Sequence, residues 1–190
     1  MKKSSNSLLA IALMATMFFV ACHPSKKIEN ATGAKELTLP FSEKEYRSDS
    51  KTFRAKNFGK SPDLALAKKI ALQNAKNELS SNIKSTFKKV MDQYTNQRST
   101  ADVQDYENKV EENAREVVNE TLSGIRVIGE KVFQEPDKSY TYWVAIELGK
   151  EDIVASASKT LSKDQKLQID YDQKKFREEF DKEMMKLENQ

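Results

Sequence analysis

The first pattern along the chain is a run of about fourteen uncharged, mostly apolar residues, Leu8 to Ala21, after a start that carries Lys2 and Lys3. From Cys22 to Glu36 the chain turns polar and loses all periodicity, which reads as a tether. ELTLPFSEKEY, residues 36–46, is either a short edge strand interrupted by Pro40 or a segment docked on the domain. KTFRAKNFG, residues 51–59, alternates around Phe53, Ala55 and Phe58 and predicts a strand. A helix start follows, with Ser61 as N-cap, Pro62 in the first helical position and Asp63 in the first turn.

From Leu64 the apolar spacing becomes helical. Ala67, Ala71 and Ala75 recur every four residues, and Leu79, Ile83, Phe87, Val90 and Tyr94 continue the stripe. After the loop TNQRSTAD, a second helix puts Val103, Tyr106, Val110, Ala114, Val117 and Thr121 on one face. Leu122-Ser123-Gly124 stops it, with Gly124 suited to a left-handed cap. IRVIGEKVFQ and SYTYWVAIEL then form a hairpin across EPDK. In the second strand Tyr140, Tyr142, Val144, Ile146 and Leu148 share one side, with Trp143 and Ala145 on the other. KEDIVASASKTL begins another helix through Ile153, Ala157 and Leu161, and Ser162 with Gln165 resembles a capping box that restarts it. In the tail, Ile169, Phe176, Phe180, Met184 and Leu187 form an amphipathic stripe, with Glu178 and Lys182 as one i, i+4 pair. That stripe must pack on its own domain, on a partner or on a second copy.

The order is β-α-α-β-β-α, of class α+β: a small antiparallel sheet of about three strands packed by long helices, plus the C-terminal amphipathic helix. The expected organisation is a signal peptide over 1–21, a lipidated amino terminus and flexible tether over 22–36, an α+β domain over 37–150 and a C-terminal helical segment over 151–190.

Chemistry enters through Cys22, the single cysteine, next to His23, the single histidine. At about 1.5 Å per residue the run before them reaches about 21 Å, short of a hydrocarbon core of about 30 Å, which favours a secretory signal over a spanning helix. Phe19-Val20-Ala21-Cys22 resembles the lipobox of bacterial lipoproteins. The resemblance implies cleavage between Ala21 and Cys22, a diacylglycerol thioether on Cys22, and a further acyl chain such as palmitate on the new amino group. Two or three acyl chains hold durably where one binds marginally. A metal site at Cys22 and His23 lacks further Cys or His ligands, and neighbours on a tether do not make a nucleophile–base pair. Cys22 is thus the attachment point, with no metal and no cofactor other than the covalent lipid. His23 stands where aspartate would retain a lipoprotein in the inner membrane, and HPSKK lacks an acidic export run. The expected location is the outer membrane, lipid-anchored and facing the periplasm.

Removal of residues 1–21 leaves 169 of the 190 residues, enough for one domain with a core. It also removes two of 32 basic residues against 29 acidic ones, so the net charge is near +1 and argues against a nucleic-acid partner. Five glycines and four prolines suit a helix-rich fold with few tight turns. FRAKNFGKSPDLALAKKIALQNAKNEL, LSGIRVIGEKVF and YTYWVAIEL together resemble the Lpp-twenty lipoprotein family over residues 50–150. The resemblance implies an envelope lipoprotein of α+β fold with a scaffolding role and carries no chemical signature.

Enzyme chemistry has little to stand on. Gly124-x-x-x-x-Gly129 lacks the Lys-Ser/Thr of a phosphate loop, and Glu111-Glu112 and Glu178-Glu179 point to different sides of a helix. The sequence therefore predicts a non-catalytic, lipid-anchored envelope protein. It would meet an envelope protein or a second copy through its sheet edge or C-terminal helix. The alternative is a peptidoglycan or glycan binder using Tyr140, Tyr142 and Trp143 as aromatic platforms.

Overall fold

Alternation and helical periodicity become elements in the order the sequence predicts. The computed structural model describes residues 36–95, 103–163 and 172–189. The expected signal peptide, the expected cleavage and lipidation at Ala21–Cys22, nearly all of the expected tether, most of the TNQRSTAD loop, Gln165 and Ile169 lie outside them, as do the side chains of Tyr94 and Val103. Strand β1 (Thr52–Ser61) leads to α1 (Leu64–Thr95) and α2 (Val103–Thr121), then to the hairpin of β2 (Arg126–Gln134) and β3 (Tyr140–Gly149). Two further helices close the chain, α3 (Lys150–Lys163) and α4 (Gln173–Glu188). The sheet is antiparallel with β3 in the centre, in the order β1-β3-β2.

One face of this sheet carries the helices. Phe53, Ala55, Gly59 and Ser61 of β1 and Tyr142, Val144, Ile146 and Leu148 of β3 are buried there. Ala67, Ala71 and Ala75 let the first turns of α1 lie close on β1, and Gly59 is where the two backbones come nearest. A Cβ at Gly59 would stand 2.4 Å from the Ala67 carbonyl oxygen and 2.6 Å from the Ala71 nitrogen. Phe58 points the other way and is exposed, because the inward phase runs through the odd-numbered positions.

At about 1.5 Å per residue, α1 is longer than the strands it crosses, so its large residues need other partners. Leu79, Ile83, Phe87, Val90 and Met91 are fully buried. Helix α2 meets this end, with the Tyr106 hydroxyl donating to the Met91 carbonyl at 3.2 Å. Helix α4 fills the wedge between α1 and the start of β1. Its Phe176 lies 6.2 Å from Phe87 and its Phe180 lies 6.3 Å from Phe53, ring centre to ring centre. Phe176, Phe180 and Met184 have no exposed surface. Of the destinations open to the tail, its own domain is the one it takes, and Thr38–Gln190 forms one compact unit.

Several local readings shift. Ser61 stays in the strand, paired with Tyr140, and accepts from the Asp63 N–H. Asp63 is the cap instead, its Oδ1 accepting from the Leu66 N–H at 2.7 Å. Leu122–Gly124 is a 3-10 turn closed by the Ile125 N–H on Leu122, and Gly124 is not left-handed. The Ser162 hydroxyl donates back to the Lys159 carbonyl within α3. Asp172 caps α4 through the Lys175 N–H at 3.1 Å. Lys182 pairs with Glu179 at 2.8 Å, one turn back, where the spacing suggested Glu178.

Candidate functional site

Among the described residues no α-helix lies on the sheet's second face, and the register arranges it as four rungs across β1, β3 and β2. Arg54, Glu147 and Arg126 form the first, then Lys56, Ala145 and Gly129, then Phe58, Trp143 and Lys131, then Lys60, Thr141 and Phe133. A bulge between Val127 and Gly129 shifts the phase of β2, so that Arg126 shares a face with Gly129, Lys131 and Phe133.

The first rung is electrostatic. Glu147 holds Arg54 at 3.3 Å and Arg126 at 2.9 Å, while Arg54 also reaches Asp49 at 2.6 Å. Burial disfavours the charged form of Asp49, but the Lys51 amide and Arg54 outweigh it and hold the carboxyl below its usual range. The second rung is roofed. Phe41 seats its ring on Gly129, where a Cβ would meet Cε1 at 2.5 Å. It is 2 % exposed and holds a left-handed φ of 60° that a bulky residue rarely adopts. Lys56 donates to its carbonyl, Lys131 lies over its ring at 5.0 Å, and Tyr46 packs at 4.8 Å. Of segment 36–46, the part from Phe41 to Tyr46 is therefore docked on the domain; its 3-10 turn, Lys44–Tyr46, is not a strand.

Among the described residues the third and fourth rungs have no such roof. Phe58 and Trp143 stack with ring centres 4.9 Å apart at 31°. Phe58 and Phe133 each keep 46 % of their surface exposed. At this end Lys60 meets Asp137 at 3.3 Å, and Thr141 donates to Glu135 at 2.6 Å. The Ser139 hydroxyl and amide hold the Asp137 carboxyl down at about 2, with Lys60 adding to the effect.

The three aromatics taken from the sequence are not one platform. Trp143 is on the open face. Tyr140 packs against the core on the helical side, and Tyr142 is buried there. Burial and the Glu130 carboxylate push the Tyr142 hydroxyl up, while Glu130, held low by Lys68 at 2.9 Å, bridges β2 to α1. Phe58, Phe133 and Lys131 join Trp143 in place of the tyrosines. The signal for them was parity within each strand combined with hairpin register.

The chain matches no family model, no curated protein and no solved structure.

Two other features bear on function. Strand β2 is one of the two outer strands of the sheet, and its Val127 and Val132, on the helical side, are nearly half exposed. Of the adjacent carboxylates on the helices, Glu111 pairs with Lys88, Glu112 with Lys109 and Glu179 with Lys182. Among the described residues no three His, Cys, Asp or Glu stand together as metal ligands would.

Proposed function

We propose that this is a lipid-anchored, non-catalytic lipoprotein of the bacterial outer membrane, facing the periplasm, with a structural or protein-interaction role of the kind the Lpp-twenty resemblance implies. The observation that carries the reading is the Phe19-Val20-Ala21-Cys22 lipobox at the end of a short apolar run. Among the described residues no helix is long and apolar enough to cross a membrane. With α4 spent on the core, the interaction role falls to the edge of β2, whose outward backbone groups and half-exposed valines suit an added strand from an envelope protein or a second copy. Ion-paired carboxylates and a lone histidine on the tether suit a non-catalytic protein.

The test is fractionation of cells making wild type or Cys22→Ser, with the mass of the mature amino terminus measured. The wild type should carry a diacylglyceryl cysteine and sediment with the envelope, and the serine variant should not. A variant that stays firmly in the envelope pellet sinks the reading. A photo-cross-linker at Val132 should then capture the partner of the strand edge.

One observation favours a second reading, a peptidoglycan or glycan binder. Trp143 stacked on Phe58 at the open face is the kind of aromatic surface a sugar ring covers. Retention on purified peptidoglycan, abolished by Trp143→Ala, tests it.

A further inference from the structure

We infer that the bare half of the open sheet face, Phe58, Trp143, Phe133, Lys131, Lys60 and Thr141, lies against the surface of an anionic lipid membrane. The inference extends the lipid-anchor reading and rests on it for the membrane's proximity. Three observations carry it.

The chain leading to Cys22 joins the domain on this face: Phe41 is seated on Gly129 beside Lys56 and Lys131, two residues after Leu39, which is half exposed. A domain tethered at this face presents it to the surface that holds the tether. The composition is the second observation. Aromatic rings interleaved with lysines suit the boundary between headgroups and acyl chains, where rings insert shallowly and ammonium groups meet lipid phosphates. The third is the contrast between rungs. Charge in the first is consumed in the Arg54–Glu147–Arg126 clamp and Lys60 in the fourth is paired with Asp137, while the third places Lys131 across from Trp143 with no carboxylate in the same row.

Two features of the sequence make the test direct. Trp143 is the only tryptophan, so its fluorescence reports from this face alone; Cys22 is the only cysteine, so its thiol can be coupled to maleimide-bearing lipid in vesicles. Coupled this way, the chain from Cys22 to Gln190 should show blue-shifted Trp143 emission, quenched by brominated acyl chains. Both effects should be stronger with phosphatidylglycerol than with phosphatidylcholine alone and should weaken with salt. Lys131→Glu together with Phe133→Ser should abolish shift and quenching while the far-ultraviolet circular dichroism stays unchanged. Emission that ignores the brominated lipid and stays open to aqueous iodide overturns the inference. So does a shift produced by soluble peptidoglycan fragments but not by vesicles. Because the coupling is chemical, this outcome does not depend on whether cells lipidate Cys22; the amino-terminal mass decides that separately.

Discussion

The two faces of the sheet are made from the same three strands by the same alternation, yet they are held by different forces. On the helical face, Phe53, Val144, Ile146 and Leu148 are shut from water by α1, α3 and α4, and stability there is apolar burial with close backbone approach. On the open face the fixed end is a carboxylate between two arginines and one seated phenylalanine, and the other end leaves Phe58 half in water against Trp143. Burial decides where a residue is costly to replace, and exposure decides where one is free to meet something else.

The largest expected contrast comes from phenylalanine truncations. Phe180→Ala, at a site with no exposed surface, should cost about 3–5 kcal/mol in urea unfolding. Phe133→Ala on the open face should change stability by no more than about 0.5 kcal/mol. Equal losses would mean that the open face is covered in the folded monomer.

Glycine substitutions sharpen the comparison at the backbone. Gly59→Ala drives a Cβ against the backbone of Ala67 and Ala71, which cannot yield without moving α1, and should cost about 1–3 kcal/mol. Gly129→Ala meets only the Phe41 ring, which can lift. Its signature should be local, with faster amide exchange in residues 41–46 and a smaller change in the unfolding midpoint.

Electrostatic changes should be smaller. Glu147→Gln leaves Arg54 and Arg126 facing each other without their shared charge, in side chains mostly shielded from solvent except Arg126, and should cost about 1 kcal/mol. The loss should read as a shift in the denaturant midpoint.

The smallest effect is in the hairpin turn. The Asp137 carboxyl is held at about 2 in the folded chain against an ordinary 3.8. A depressed acid stabilises the fold above its unfolded value and loses that contribution as pH falls through the folded one. The turn's share should thus be intact above about pH 4 and fade toward pH 2, and a carboxyl-carbon NMR titration of Asp137 should show its midpoint near the lower figure.

Much of the fold was legible because its signals are local. The alanine spacing of α1, the stripe of α2, the alternation of β3 and the amphipathic tail each repeat within one element, so period alone assigned helix and strand. Local caps were harder. Ser61 has the chemistry of an N-cap, but its pairing with Tyr140 keeps it in the strand, and Asp63 takes the role. Phe58 misled for a similar reason: an aromatic in an alternating segment looks like core, and only the phase set by Phe53 and Ala55 turns it outward.

By itself, the order of residues determined the class, the element order and the apolar stripes, all of which depend on near neighbours along the chain. Tertiary packing settled which of two similar-looking faces received the helices, where the tail went and which aromatics met. Trp143 finds Phe58 through the β1–β3 pairing and Lys131 through the hairpin, while Tyr140 and Tyr142 are turned away from it by the pleat. Side-chain direction is a property of one strand; company is a property of register between strands distant in sequence, and no local pattern encodes that.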